Sequence, residues 1–219
     1  MMFGCALLVI GVSDLLAVFI RRMPARWVIA TVWWLLALIG ATVVTHWWHA
    51  AVAVVLALVW MVASQRHLIW RGPVLVVLLA VVFGVTWATG DHEPSPIVMA
   101  TGSLVFLSST GNEVVRSVLE LTGRHEMPGQ HRPPEEEGST ASSLRGGRII
   151  GPLERIIIYV LALTGAQGIV AALIAAKGIV RFPEISADRR IGARAEEFLI
   201  GSLTSWGLAG ALAAATLVL

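Results

Sequence analysis

Between Pro73 and Thr89 the chain reads PVLVVLLAVVFGVTWAT, without an ionisable side chain. A helix rising about 1.5 Å per residue needs about 20 mainly apolar residues to cross a hydrocarbon layer about 30 Å thick. Residues 73–89 come close to that length, and Arg71 and Asp91 stand just outside it. The run is continuously apolar and does not alternate, so it has helical rather than membrane-barrel character.

Six further windows of the same kind follow outward from it: Met2 to Ile20, Trp27 to Thr45, Trp48 to Ser64, Ile97 to Val118, Ile156 to Ala176 and Phe198 to Val218. The composition agrees. Of 219 residues, 57% are hydrophobic and 14% charged, against about 45–50% and about 25% in soluble domains. Mean hydropathy is +0.80. The expected fold is therefore all-α, a polytopic transmembrane helical bundle of about seven spans. Met2 to Ile20 reads as a retained span, because it lacks a basic flank before it and is followed by Arg21-Arg22 instead of a small-residue cleavage site. The single cysteine, Cys5, excludes an internal disulfide framework.

Arginine placement predicts orientation. Arg21, Arg22 and Arg26 follow span one, Arg66 and Arg71 follow span three, and Arg124, Arg132, Arg145 and Arg148 follow span five. Those loops are expected in the cytoplasm and the N-terminus outside. The stretches holding His46 to His49 and Asp91 to Glu93 carry no lysine or arginine. Arg181, Arg189, Arg190 and Arg194 would lie outside if the sixth segment crossed fully. Its length favours a straight crossing with the C-terminus inside; alternatively, Gly165-Ala166-Gln167-Gly168 forms the turn of a re-entrant hairpin.

Three regions result: a five-span block over 1–122, a flexible cytoplasmic loop over 123–147, and a two-helix transmembrane unit over 148–219. The loop contains Pro133-Pro134-Glu135-Glu136-Glu137 and almost no large apolar side chains, too few to offset its ordering entropy. Its histidines and glutamates match no metal-ligand spacing, and no cofactor is expected. The basic residues flank apolar spans and form no stripe with interleaved aromatics, which argues against nucleic acid. The expected partners are membrane lipids, a protein docking on the loop, and a second copy of the chain.

No phosphate loop, His-Glu-x-x-His or Gly-x-Ser-x-Gly pattern occurs. Glu196-Glu197 is followed by Leu199, Ile200 and Gly201, where intramembrane CAAX-type proteases need an arginine. The remaining candidates are charges in or beside the membrane, where insertion costs about 2.5–3.5 kcal/mol each. Asp14 lies deep in the first window. Asn112, Arg116 and Glu120 share one helical face, with Glu113 beside them. Arg148, Glu154 and Arg155 open the sixth segment; Lys177, Arg181 and Glu184 close it; Glu197 opens the seventh. Opposite charges at the adjoining ends of segments six and seven predict one site built from Lys177, Arg181, Glu184 and Glu197, or a staple that joins the cations to Glu197.

The stretches Gly147 to Arg155, Ala175 to Glu184 and Glu197 to Ser205, with Thr110-Gly111-Asn112 and Arg116, resemble a family of uncharacterised bacterial membrane proteins. Some of its members carry this arrangement behind a domain of unknown function termed DUF3307. The likeness covers roughly 110–208, and Asp14 matches an aspartate of that domain's first helix. It implies a multi-pass protein of a bacterial inner or plasma membrane and no activity. Three function classes follow: a small transporter or translocator of a lipid or charged solute, a non-catalytic membrane subunit or assembly factor, and a lipid-modifying enzyme using Glu154 or Glu197.

Overall fold

The computed structural model describes residues 2–19, 47–65, 69–89, 96–123, 147–186 and 193–219. Among them the chain forms eight α-helices and no strand. They are α1 (Met2–Phe19), α2 (Trp47–Gln65), α3 (Arg71–Ala88), α4 (Pro96–Ser108), α5 (Thr110–Leu121), α6 (Gly147–Leu163), α7 (Gln167–Ser186) and α8 (Ala193–Val218). The expected span from Trp27 to Thr45 and most of the 123–147 loop lie outside the described residues.

Among the described residues two helical stretches are long and apolar enough to cross a membrane, Arg71–Ala88 and Ala195–Val218. Four shorter apolar stretches accompany them: Met2–Leu16, Ala51–Ala63, Pro96–Ser108 and Gln167–Val180.

α1 runs between α2 and α4, and glycine sets the closeness of its packing on α4. A Cβ on Gly102 would stand 2.6 Å from Gly4 O, and one on Gly11 would stand 2.8 Å from Phe106 N. Small residues let helix backbones meet where apolar surroundings supply little drive for association. α6 and α8 pair along their lengths, and α4 and α5 join this pair to the N-terminal helices. A single apolar core therefore runs from Phe3 and Leu7 through Phe106 and Leu107 to Tyr159 and Leu212.

Two of the expected spans are not single helices. The fifth is interrupted at the single residue Ser109 (φ −114°, ψ −72°), a distortion between α4 and α5 at which the N–H still bonds Val105 O at 3.2 Å. The sixth, expected as a straight crossing, turns at Thr164-Gly165-Ala166, with Gly165 at φ 73°. α7 then folds back on α6, and Lys177 Nζ reaches Glu154 Oε2. In a continuous helix those 23 positions would lie about 34 Å apart. The apolar length of Ile156–Ala176 is equally compatible with a hairpin, and Gly165 decides between the two because it enters the left-handed region without a Cβ clash.

Candidate functional site

The interruption at Ser109 gathers the polar groups of the core. Its hydroxyl lies 2.9 Å from Gly11 O and 2.8 Å from Val105 O. On one side Thr110, the first residue of α5, donates its hydroxyl to Asp14 Oδ2 at 2.6 Å, and Trp60 of α2 donates its indole N–H to the same oxygen at 2.8 Å. On the other side Arg155 of α6 donates Nε–H to Leu107 O at 3.0 Å, near the end of α4. The carboxylate thus meets the N-terminal end of one helix and the guanidinium the C-terminal end of another, each matched to the sign of the helix dipole.

Arg155 is 2% exposed. Its Nη1 donates to Ser205 Oγ at 3.2 Å and its Nη2 to Asn112 Oδ1. No carboxylate stands within ion-pair distance of it among the described residues. The planar fork serves three separate acceptors from three different nitrogens, a spread that a compact ammonium, with all its donors on one atom, does not reproduce. Gly111 makes this possible. A Cβ there would lie 3.0 Å from Arg155 Nε and 3.2 Å from Cζ, so the arginine occupies the place of a side chain. Thr110-Gly111-Asn112 is therefore a unit: one residue for Asp14, one for passage of the guanidinium and one to accept from it.

Beside Arg155, Glu154 faces a different neighbour. It is 9% exposed and accepts from Lys177 Nζ on Oε2 and from Trp206 Nε1 at 2.9 Å on Oε1. The Lys177 ammonium lies 5.3 Å from the Trp206 ring centroid and 5.9 Å from that of Phe198. Lys177 is therefore joined to Glu154 and not to Glu197, as the opposed helix ends predicted. Among the described residues Glu197 makes no ion pair. The correction follows from the hairpin, which brings α7 alongside α6. Arg148, Arg181 and Glu184 fall within α6 and α7, but their side chains lie outside the described residues.

The expected common face of Asn112, Arg116 and Glu120 divides three ways. Asn112 turns inward to Arg155. Arg116 is half exposed and pairs with Glu113 at 3.1 Å. Glu120 lies 3.6 Å from Arg71, which also reaches Glu113 at 3.2 Å. Arg71, expected as a loop charge that signals orientation, is 5% exposed and ties α3 to α5. Sequence reasoning also missed Trp60, Ser205 and Trp206. A tryptophan in the interior of an apolar run, away from interfacial belts, is the signal that could have found Trp60 and Trp206, because its N–H needs a buried acceptor.

No family model, curated protein or solved structure matches this chain. No group of three or more metal-binding side chains occurs among the described residues.

Proposed function

We propose that the protein is a multi-pass integral membrane protein that translocates a lipid or a charged solute. The interruption at Ser109, flanked by Asp14 and Arg155, is its working centre, and that arrangement carries the reading. Membrane transporters place broken helices at their binding sites, where half-helix ends and charged side chains meet cargo or coupling ions. A carboxylate and a guanidinium on opposite sides of one break provide two charges that a passing ion or headgroup can address.

Membrane placement is supported by the outward surface as well as by the two long apolar stretches. The outer face of α3 carries Val74, Val77, Val81 and Val85, each at least 43% exposed, while Leu75, Leu79 and Val82 face inward. A helix apolar on every side belongs in lipid or deep within a larger assembly. The likeness of residues 110–208 to bacterial membrane proteins is part of the same proposal. The enzyme class draws less support: Glu154 is engaged by Lys177 and Trp206, and no second carboxylate joins them among the described residues.

Reconstitution into liposomes tests the reading, with transfer of fluorophore-labelled phosphatidylethanolamine and phosphatidylglycerol followed by dithionite quenching and proton flux by an entrapped dye. The wild type accelerates at least one of the three, and Asp14→Asn and Arg155→Gln slow it while remaining folded. If none is accelerated, or both variants keep the wild-type rate, translocation through this centre is wrong.

A further inference from the structure

The surroundings of Lys177 have the chemistry of a receptor for a cation. Glu154 supplies a buried carboxylate whose second oxygen is fixed by the Trp206 indole N–H. The rings of Trp206 and Phe198 lie within 6 Å of the ammonium, the range in which an aromatic face attracts a cation. The cation that fills this cage belongs to the chain itself.

Three observations separate the occupant from an ordinary staple. Lys177 is the one lysine among 16 basic residues, the rest being arginine, so the residue type changes where the seat is a compact cage. A planar guanidinium needs forked acceptors, whereas an ammonium is a point charge that a carboxylate and two rings can enclose. Next, α7 is weakly held. It packs chiefly on α6, and Lys177 to Glu154 is its one polar side-chain link to another helix among the described residues. Ile169, Ile179 and Val180 on α7 are 59–74% exposed. Finally, α6 and α7 are joined through the short non-helical turn Thr164-Gly165-Ala166, with Gly165 at positive φ, so a swing of α7 has its hinge there.

We propose that Glu154, Trp206 and Phe198 form a binding seat for a primary ammonium group, that Lys177 occupies it as an internal surrogate, and that an ammonium-bearing ligand takes it when α7 swings away about Gly165. This deepens the translocator reading by naming the charged group of its cargo. Its test measures binding alone, so seat and translocation can fail separately. A soluble amine and an aminophospholipid headgroup present the same chemistry.

The test uses the full chain in detergent. Lys177→Met empties the seat and lowers Tm; ethylammonium chloride then raises Tm where sodium chloride at equal concentration does not. Adding Glu154→Gln removes the ethylammonium response. A Lys177→Met protein indifferent to ethylammonium, or a response that survives Glu154→Gln, overturns the seat. A second measurement needs no variant: hydrogen exchange of α7 in the wild type. Ethylammonium in detergent, and phosphatidylethanolamine but not phosphatidylglycerol in nanodiscs, speed exchange across 167–186 by displacing Lys177. Acceleration by ethylammonium alone assigns the seat to a soluble amine, and acceleration by neither refutes it.

Discussion

At the residue scale, Asp14 separates charge from hydrogen bonding. Both of its described donors, Trp60 Nε1 and Thr110 Oγ1, meet the same oxygen, Oδ2. The carbonyl oxygen of an asparagine can accept both, so Asp14→Asn is expected to keep these bonds and the fold while removing the negative charge. Asp14→Leu strands two buried donors, at a cost of about 1–3 kcal/mol each. Denaturation in detergent is expected to rank the variants as wild type, then Asn close behind, then Leu. Asn as unstable as Leu would show that the charge itself holds the bundle. Gly111 offers a parallel test on the other side of the break. Gly111→Ala puts a Cβ against a guanidinium pinned at three points and should lose about 1–3 kcal/mol, the cost of displacing one buried polar partner. Greater stability in the alanine variant, as helix propensity alone would give, would mean that Arg155 yields freely.

At the element scale, the α6–α7 hairpin changes the expected topology. A straight sixth span left Arg181, Arg189, Arg190 and Arg194 on the side opposite the other arginines. If the protein spans a membrane, a hairpin ends on the face where it began, and the positive-inside rule then predicts that positions 147 and 186 share one side. On the same expectation the seventh apolar segment carries the C-terminus outward, not inward. In a Cys5→Ala background, cysteines at Gly147 and Ser186 are expected to react from the same side of the membrane, and a tag after Leu219 from the other. Labelling of 147 and 186 from opposite sides would restore the straight crossing. Gly165→Val should weaken the hairpin by about 1–2 kcal/mol, because a branched side chain is strained at positive φ. That loss should appear as faster hydrogen exchange confined to α7.

At the scale of the whole molecule, the apolar exterior is the quantity to test. Val77 and Val81 are 61% and 56% exposed at the middle of α3. If lipid surrounds them, Val81→Arg should oppose insertion by about 2.5–3.5 kcal/mol, and the fraction resistant to alkaline extraction from membranes should fall. An unchanged membrane fraction for Val81→Arg would mean that this face meets water or a polar partner. The polar contacts at Ser109, Arg155 and Glu154 lie on other helices, so a loss of insertion could not be attributed to them.

The sequence by itself determined the helical class and the identity of most of the charged groups that matter. Continuous apolar runs leave no other use for their surface, and Asp14, Glu154, Arg155 and Lys177 stand out because ionisable side chains are costly inside such runs. It also marked Gly165-Ala166-Gln167-Gly168 as an irregularity, though length alone favoured a straight helix. Only the tertiary structure decided the pairings. That Lys177 meets Glu154 depends on a single positive-φ residue reversing the chain, which periodicity does not encode. That Thr110, Gly111 and Asn112 divide their work between Asp14 and Arg155 depends on where α1 and α6 cross the break at Ser109. Helical period gives the face on which a residue stands, but its partner is set by packing between helices far apart in sequence, where glycines and backbone approach fix the register.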